Sequence, residues 1–445
     1  MATDLLLIGK TGALAARAAL DVTGQNIANA NNEDYNRRSV DLAEVAATGG
    51  IGRSGDARLA GVRIDGIVRT SSAFLQAEVR RTGSDSARAN TQVQALEGAE
   101  RAVETSGIYP ALVEFEAGLA RLAADPLSTP LRTQVVENAR NLTDTFGLAM
   151  EGLNSSAAGL RLGAQDGVAR INQLTAGLAQ TNTNLGRTQE GTVSRAALLD
   201  QRDALLSDLA SLTGIHTEFD AFGRVTVRLR DNGGHVVITG DTAQTLGSAF
   251  NADGTLAITL GTGPVILETG SVAGQAQALE RIASLRTGLD AIANQLIATT
   301  NSAQASGVDP AGNPGAPLFS GTGAAGIGLA LTSGAGLATA PAGSPAGSRD
   351  TGNLAALQSA LANGGPTAAM DGLIFGLSSE ISGRSITRDA LQSIADSAAS
   401  SLANETAVDL DSEAANLVRF QQAFQASGRV IQVASDIFDT LLAIR

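Results

Sequence analysis

The sequence predicts a mixed α+β protein: a terminal α-helical coiled coil, a domain of long helices made from both halves of the chain, and an inserted β-rich domain. Leu and Ala recur at spacings of three and four through most of the chain, which indicates amphipathic helices. One internal segment, 215–270, instead alternates apolar and polar residues between glycine-containing turns. At 445 residues the chain is too long for a single hydrophobic core, so we expect several domains.

The coiled-coil prediction rests on apolar residues that recur every seven positions at both ends of the chain. Near the carboxyl end the two series are Leu417, Phe424, Ile431, Phe438 and, three positions further along, Phe420, Ser427, Ala434, Leu441. Near the amino end they are Leu6, Ala13, Leu20, Ile27 and Gly9, Ala16, Thr23, Ala30. Because the first helix offers small residues and the last offers bulky ones, the two helices are expected to interdigitate.

The remaining elements follow from local patterns. We expect a first helix over 3–30, ended by the asparagine-rich turn 29–34, and then a small β element within 40–70. Long helices are predicted over 72–105, 111–124 and, with breaks, 129–212.

The second half of the chain begins with the β-rich segment. The residues Asp231 to Gly234 and Asn251 to Gly254 are predicted turns between strands, and Gly263-Pro264 is expected to end the last strand. A helix is predicted over 271–302, a Gly- and Pro-rich stretch over 307–348, and helices over 352–361 and 368–405. Asp411 or Ser412 is expected to cap the last helix.

Composition excludes several classes of partner and site. The net charge of -13 argues against nucleic acid, because binding to phosphates needs clustered cations. The absence of cysteine excludes disulfides and thiolate chemistry. No stretch has the length of a membrane span, and none resembles a cleaved signal peptide.

No cluster of catalytic or metal-ligating residues stands out. The two histidines, His216 and His235, lie in the β-rich segment without an accompanying catalytic motif. The pattern G-x-G-x-x-G occurs at 50–55 and 321–326, but neither copy follows a clear strand and opens a helix. We predict a structural protein with no enzymatic activity, no cofactor and no metal. The alternative, an enzyme, needs a cavity where a histidine meets acidic residues.

A charged stretch on one predicted helix has a simpler interpretation. Asp200, Asp203 and Asp208 alternate with Arg202, and such a pattern is typical of a solvated, salt-bridged helix face.

Both ends of the chain resemble a known family. The segment 24–31, Gly-Gln-Asn-Ile-Ala-Asn-Ala-Asn, and the Tyr-Asn-Arg-Arg at 35–38 resemble the amino-terminal signature of bacterial flagellar rod, hook and hook-associated proteins. The segments 410–417 and 420–427 resemble their carboxy-terminal signature. The signature positions in this chain are Asn26, Asn29, Tyr35, Arg37, Asp411, Asn416, Gln421 and Gln422. Internal features, such as Leu-Leu-Asp-Gln-Arg-Asp at 198–203, favour the hook-associated members.

The resemblance implies a structural subunit of the bacterial flagellum that joins hook to filament; a hook or distal rod structural protein is the alternative. It implies export through the flagellar type III apparatus without a cleaved signal peptide, and an extracellular location at the hook–filament junction. The implied partners are further copies in a helical ring, the hook protein, a second hook-associated junction protein and an export chaperone, with no nucleic acid and no membrane.

The resemblance also implies a layered division of the chain. The expected domains are an inner coiled coil (1–39 and 406–445), a mainly helical domain with a small β element (40–214 and 271–405) and an outer β-rich domain (215–270). The expected assembly interface comprises Leu6, Ala13, Leu20, Ile27, Leu417, Phe420, Phe424, Ile431, Phe438 and Leu441.

Overall fold

Long helices alternate with short antiparallel strands in the computed structural model, which describes residues 2–32, 34–47, 58–231 and 233–443. The helices are α1 (Ala2–Ala28), α2 (Ala73–Ser106), α3 (Ile108–Ala124), α4 (Thr129–Leu185), α5 (Val193–Leu212), α6 (Ser271–Ala305), α7 (Gly323–Gly326), α8 (Gly352–Ala362), α9 (Pro366–Thr406) and α10 (Leu410–Ala443). The strands are β1 (Arg38–Ala47), β2 (Arg58–Arg69), β3 (Ile215–Phe219), β4 (Val225–Leu229), β5 (Val236–Thr239), β6 (Thr242–Ala243), β7 (Leu246–Phe250), β8 (Leu256–Leu260), β9 (Gly263–Val265), β10 (Gly307–Val308), β11 (Phe319–Ser320), β12 (Gly328–Leu329) and β13 (Ala340–Pro341). The predicted α+β class is therefore confirmed.

The chain forms two compact units, and each contains helices and strands. The first comprises residues 1–84, 171–245 and 392–445, and the second comprises 85–170 and 246–391. In the first unit β1 pairs with β2, and β3 to β6 form a four-stranded antiparallel sheet. In the second unit β7 to β9 form a three-stranded sheet. The strands between 215 and 265 are thus divided between the units.

The core of the second unit is built from Leu, Ala and a few phenylalanines. Phe115, Phe146 and Phe319 are fully buried, and the rings of Phe115 and Phe319 meet edge to face at 5.9 Å. Such a contact adds about 0.5–1.5 kcal/mol to the area that the rings bury. Three of the eleven phenylalanines therefore fill the helical core, while others, such as Phe74 and Phe375, are exposed.

Arg132 organises the Gly- and Pro-rich stretch of the second unit. Its buried guanidinium donates to the carbonyl oxygens of Gly334 (2.8 Å), Pro126 (2.5 Å) and Leu337. Burial lowers the pKa of Arg132, because the charged form loses hydration. These bonds satisfy carbonyl groups that a stretch without regular structure leaves unpaired.

Two local predictions need correction. Gly263 and Pro264 do not end a strand; they form β9, which pairs with β8. The cap of α10 is Asp409 rather than Asp411 or Ser412, since its carboxylate accepts from the N–H of Asp411 (3.0 Å) and from the hydroxyl of Ser412 (2.7 Å). These bonds hold the pKa of Asp409 below its usual value.

A break after α4 docks on the hairpin of β1 and β2. Gly191 has φ +73°, and its carbonyl accepts from the N–H of Ile67 at 2.9 Å. A Cβ on Gly66 would lie 2.6 Å from the Cα of Gly191, so the two backbones touch. Glycine is required at both positions, and the contact fixes where α5 begins relative to the hairpin.

In the first unit α1 packs antiparallel on α10 through its small residues. A Cβ on Gly9 would lie 2.8 Å from Cγ1 of Ile431, and a Cβ on Gly12 would lie 2.8 Å from Oγ of Ser427. Gly9, Ala15, Ala16, Ala19 and Thr23 are buried. Without side chains between them, the two helix backbones approach closely.

The close approach gives a matched pair of substitutions. We expect Gly9→Ala to destabilise the α1–α10 pair by about 1–3 kcal/mol, because the added methyl overlaps Ile431. Gly24→Ala in the same helix meets nothing within 4 Å and is expected to stabilise it by up to about 1 kcal/mol through helix propensity. Hydrogen exchange of α10 in the two variants measures the difference. Equal protection in both would contradict the close packing at Gly9.

Candidate functional site: the terminal helices and a buried ion network

The amino-terminal signature forms a buried hydrogen-bond cluster at the end of α1. The Asn26 side chain, 1% exposed, accepts from the hydroxyl of Tyr35 (2.8 Å) and the N–H of Arg38 (3.1 Å) and donates to the carbonyl of Arg38 (2.9 Å). Burial raises the pKa of Tyr35, so its hydroxyl stays protonated and can donate. Asn26 thereby fixes the chain from the last turn of α1 to the first residue of β1.

The other two signature residues of this region serve the backbone. The Asn29 side chain donates to the carbonyl of Gln25 (2.8 Å) at the end of α1. The N–H of Arg37 donates to the carbonyl of Thr406 (2.9 Å), the last residue of α9. The turn after α1 is therefore tied to the segment that leads into α10.

Asp200 on α5 gathers three donors from distant parts of the first unit. It accepts from the amide of Asn36 (2.9 Å), the guanidinium of Arg38 (2.6 Å) and that of Arg69 (3.0 Å). The side chains of both arginines are at most 7% exposed. A buried carboxylate satisfied in this way joins α5 to the open end of the β1–β2 hairpin, where Arg38 and Arg69 pair.

Asp203, one turn further along α5, extends the network. It accepts from Arg69 (2.7 Å), Arg202 (2.6 Å) and the amide of Gln76 on α2 (2.9 Å). The guanidinium of Arg202 also lies over the ring of Phe219 at 4.3 Å. Burial lowers the pKa of Arg202, and the charge of Asp203 opposes that shift.

The prediction of a solvated face at these positions is wrong. Asp200 and Arg202 are 7% and 5% exposed, and only Asp208 of the group is exposed. Only the donor Arg202 lies on α5 itself, and the other donors come from 36–38, 69 and 76, so the pattern of α5 alone does not predict the burial. The arginines that follow the signature tyrosine were the one clue in the sequence.

The network is suited to holding segments together rather than to chemistry. Its two carboxylates are opposed by three guanidinium groups and two amides at hydrogen-bond distance. His216 lies exposed on β3 opposite Arg228, and His235 pairs with the buried Asp231 in the turn after β4. Within the described ranges no three potential metal-ligating side chains come together.

The carboxy-terminal signature residues lie in the first half of α10. Asp411 is exposed in its first turn, Asn416 is half-buried, and Gln421 and Gln422 are exposed. The G-x-G-x-x-G at 50–55 falls outside the described residues, and the one at 321–326 spans a tight turn and α7.

The residues of the expected assembly interface differ in exposure. Leu6, Ile27, Phe424 and Phe438 are between 36% and 49% exposed. Those that are half-buried are Ala13, Leu20, Leu417, Phe420 and Ile431. Leu441 lies within α10, but its side chain is outside the described part of the chain. Large apolar side chains thus point away from the contact between α1 and α10.

Neutralising one carboxylate of the network tests how much that carboxylate contributes to the stability of the fold. We expect Asp200→Asn to lower the free energy of unfolding by about 3 kcal/mol, because Arg38 and Arg69 lose their counter-charge while buried. Asp208→Asn, an exposed change on the same helix, is expected to stay within about 0.5 kcal/mol. Urea unfolding of the two purified variants provides the comparison. Indistinguishable midpoints would show that the network contributes nothing to stability.

Two family models match this chain, one over its middle and one over its carboxyl end. Residues 93–319 match the model of the flagellar hook-associated protein FlgK helical domain, which covers half of the chain. Residues 403–444 match the model described as flagellar basal body rod FlgEFG protein C-terminal. Among the described residues the structure contains no helix with the length and apolar character needed to cross a bilayer.

Individual proteins similar to this chain are also named as flagellar hook-associated or hook junction proteins. Flagellar hook-associated protein 1 of Bacillus subtilis (strain 168) is 23% identical over 486 residues, which cover 96% of this chain and 95% of that protein. The protein of that name from Salmonella typhimurium is 26% identical over 337 residues, 72% of this chain and 59% of that relative. A solved structure, the flagellar hook junction protein FlgK from Burkholderia pseudomallei, matches with a TM-score of 0.49 and 23% identity over 55% of this chain and 46% of that chain. On the match of its helical domain, the chain belongs to the family of the flagellar hook-associated protein FlgK, structural proteins of the junction between hook and filament.

Proposed function

We propose that copies of this chain form a helical ring at the tip of the flagellar hook, held together through α1 and α10. The observation that carries the proposal is the exposed apolar surface of these two helices. The exposed residues are Leu5, Leu6, Leu7, Ile8, Leu14 and Ile27 on α1, and Val418, Phe424, Val430, Val433, Ile437 and Phe438 on α10. Apolar side chains concentrated in this way on two packed helices mark an interaction surface.

The proposed contact has a simple physical basis. Because α1 meets α10 through its small residues, Leu6 on α1 and Phe424 and Phe438 on α10 stay exposed and available for neighbouring copies. Burying one Phe or Leu side chain stabilises an interface by about 1.5–3 kcal/mol. A ring in which every copy uses both helices would therefore gain from many such contacts.

We also propose a division of the chain into an inner, a mainly helical and an outer domain. The coiled-coil segments 1–39 and 406–445 form the inner domain, 40–214 and 271–405 form the mainly helical domain, and 215–270 forms the outer domain. The exposed apolar surface of the inner segments would be covered in the assembly.

The proposed neighbours are the hook protein on one side and a second hook-associated junction protein on the other. We further propose delivery by an export chaperone through the type III apparatus, without a cleaved signal peptide, to a location outside the cell. The absence of cysteine is compatible with that oxidising location.

The proposed role is structural and not enzymatic. The carboxylates of the buried ion network, Asp200 and Asp203, are engaged by arginines. The alternative role, a hook or distal rod structural protein, is less well supported, because the family model that covers half of the chain is that of a hook-associated protein.

A charge placed among the exposed apolar side chains of α10 tests the role of this helix in assembly. We expect Phe424→Asp to block assembly and to leave the fold intact, because Phe424 is 44% exposed and does not fill the core. A carboxylate buried without a partner at a contact between copies costs several kcal/mol. Cells that carry the variant are expected to secrete it and to form hooks without filaments, which electron microscopy and motility assays detect.

The control is Gln432→Asp, which adds the same charge at an exposed polar position of α10. It is expected to leave filaments in place. If Phe424→Asp melts far below the parent chain, the residue serves the fold, and if it assembles filaments normally, α10 does not form the contact.

A further inference from the structure

A small pocket in the first unit is lined by residues from four separate segments of the chain. Asp34 comes from the turn after α1, Arg80 from α2, Ser207 from α5 and Thr406 from the end of α9. The volume of the pocket is about 130 Å³. A water molecule needs about 10–15 Å³ of such space, so the pocket has room for several. Side chains and solvent can therefore rearrange at a point where four segments meet.

Arg80 is a buried cation without a carboxylate beside it. The residue is 6% exposed, and its guanidinium donates to the hydroxyl of Thr217 at 3.2 Å. Among the described residues no carboxylate oxygen lies within 4 Å of this guanidinium, whereas Arg69 and Arg202 each have one within 3 Å. Burial lowers the pKa of Arg80, because the charged form loses hydration, and the charge of Asp203 opposes that shift. Arg80 therefore lacks the close counter-charge that its neighbours have.

Asp34 has the opposite character, because it is an exposed carboxylate that lines the same pocket. Its backbone N–H donates to the side-chain oxygen of Asn32 at 3.2 Å, which holds the backbone of the turn. Its carboxylate forms no ion pair with any residue that the structure describes. An exposed aspartate can exchange between staggered rotamers, so the carboxylate can turn into the pocket while the backbone stays in place.

The other two carboxylates at the pocket are already engaged. Asp200 accepts from the amide of Asn36 at 2.9 Å and pairs with arginines, and Asp203 accepts from the amide of Gln76 at 2.9 Å and also pairs with arginines. Asp34 is thus the lining carboxylate that is available to Arg80. Because it belongs to the same chain, its effective concentration at the pocket exceeds that of a dilute anion from solvent.

We propose that Asp34 and Arg80 form a latch, which is open in this structure and closed in the main form of the chain in solution. In the closed form the Asp34 carboxylate lies in the pocket and pairs with the guanidinium of Arg80. Closing fastens the turn after α1 to α2, beside the bond from the N–H of Arg37 to the carbonyl of Thr406 at 2.9 Å. The inference goes beyond the proposed function, because it concerns how a single copy holds its first helix.

Hydrogen exchange of the Arg37 amide in the purified chain tests the latch, because this amide is exposed only when the turn separates from α9. We expect Asp34→Asn to speed its exchange about fivefold, since the closed form is lost. The same change is expected to have no effect when combined with Arg80→Gln, and to keep its effect when combined with Arg80→Lys, which retains the positive charge. The control is Asp41→Asn, an exposed change on β1 that does not line this pocket, and it is expected to leave the exchange as in the parent chain.

Salt provides a second readout that needs no variant of Arg80. Raising sodium chloride from about 0.05 M to about 1 M is expected to speed exchange of the Arg37 amide in the parent chain and to leave Asp34→Asn unchanged, because screening weakens an ion pair that only the parent can form. An equal effect of Asp34→Asn in the parent and in the Arg80→Gln chain would overturn the inference, and so would equal salt responses of the parent and Asp34→Asn. Either failure leaves the proposed function untouched, because these measurements use the unassembled chain.

Discussion

The first unit depends on two carboxylates that lie one turn apart on α5. Asp200 and Asp203 bring together donors from the signature turn, from the end of β2 and from α2. Removing these charges from water is unfavourable, and only the number and geometry of the donors offsets that cost. The arrangement is therefore sensitive to any displacement of the segments, which gives it value for fixing one structure rather than for adding stability.

The amino-terminal signature residues have a structural role in this network. Asn26 holds the turn after α1 in the shape that directs Arg38 toward α5. The terminal helix is thus tied to α5 through a short polar segment, in addition to its packing against β2 at Thr11 and Gly61. A residue in a family signature can in this way serve geometry without touching a partner.

The elements were largely predictable from the sequence because their signals are local. Heptads, strand alternation and turn residues predicted the helices at both ends and the strands after 215. The burial of Asp200 was not predictable, because it depends on donors more than 100 positions away. The cap of α10 was misplaced by two or three residues, since Asp409, Asp411 and Ser412 all suit a cap and only the backbone geometry selects one.

The site was predictable only in part for a related reason. Periodicity identified the apolar positions of α1 and α10, but it did not say which face meets the chain itself. In α1 the structure places glycine at the internal contact, against Ile431 and Ser427 of α10, and it leaves Leu6, Phe424 and Phe438 exposed. A prediction from hydrophobicity alone would place the largest apolar side chains at the internal contact. Small residues of α1 lie there instead, because they let the two helix backbones approach closely.

The pairing of the first helix with the last also sets an order of events. Gly9 and Ile431 touch although 422 residues separate them, so their contact closes a loop of nearly the whole chain. The entropy of closing a loop grows only slowly with its length, but the contact cannot form until the final helix is present. Whichever of the two helices is made or delivered first lacks its partner until the other one is present, so the pair forms after the internal helices are able to fold.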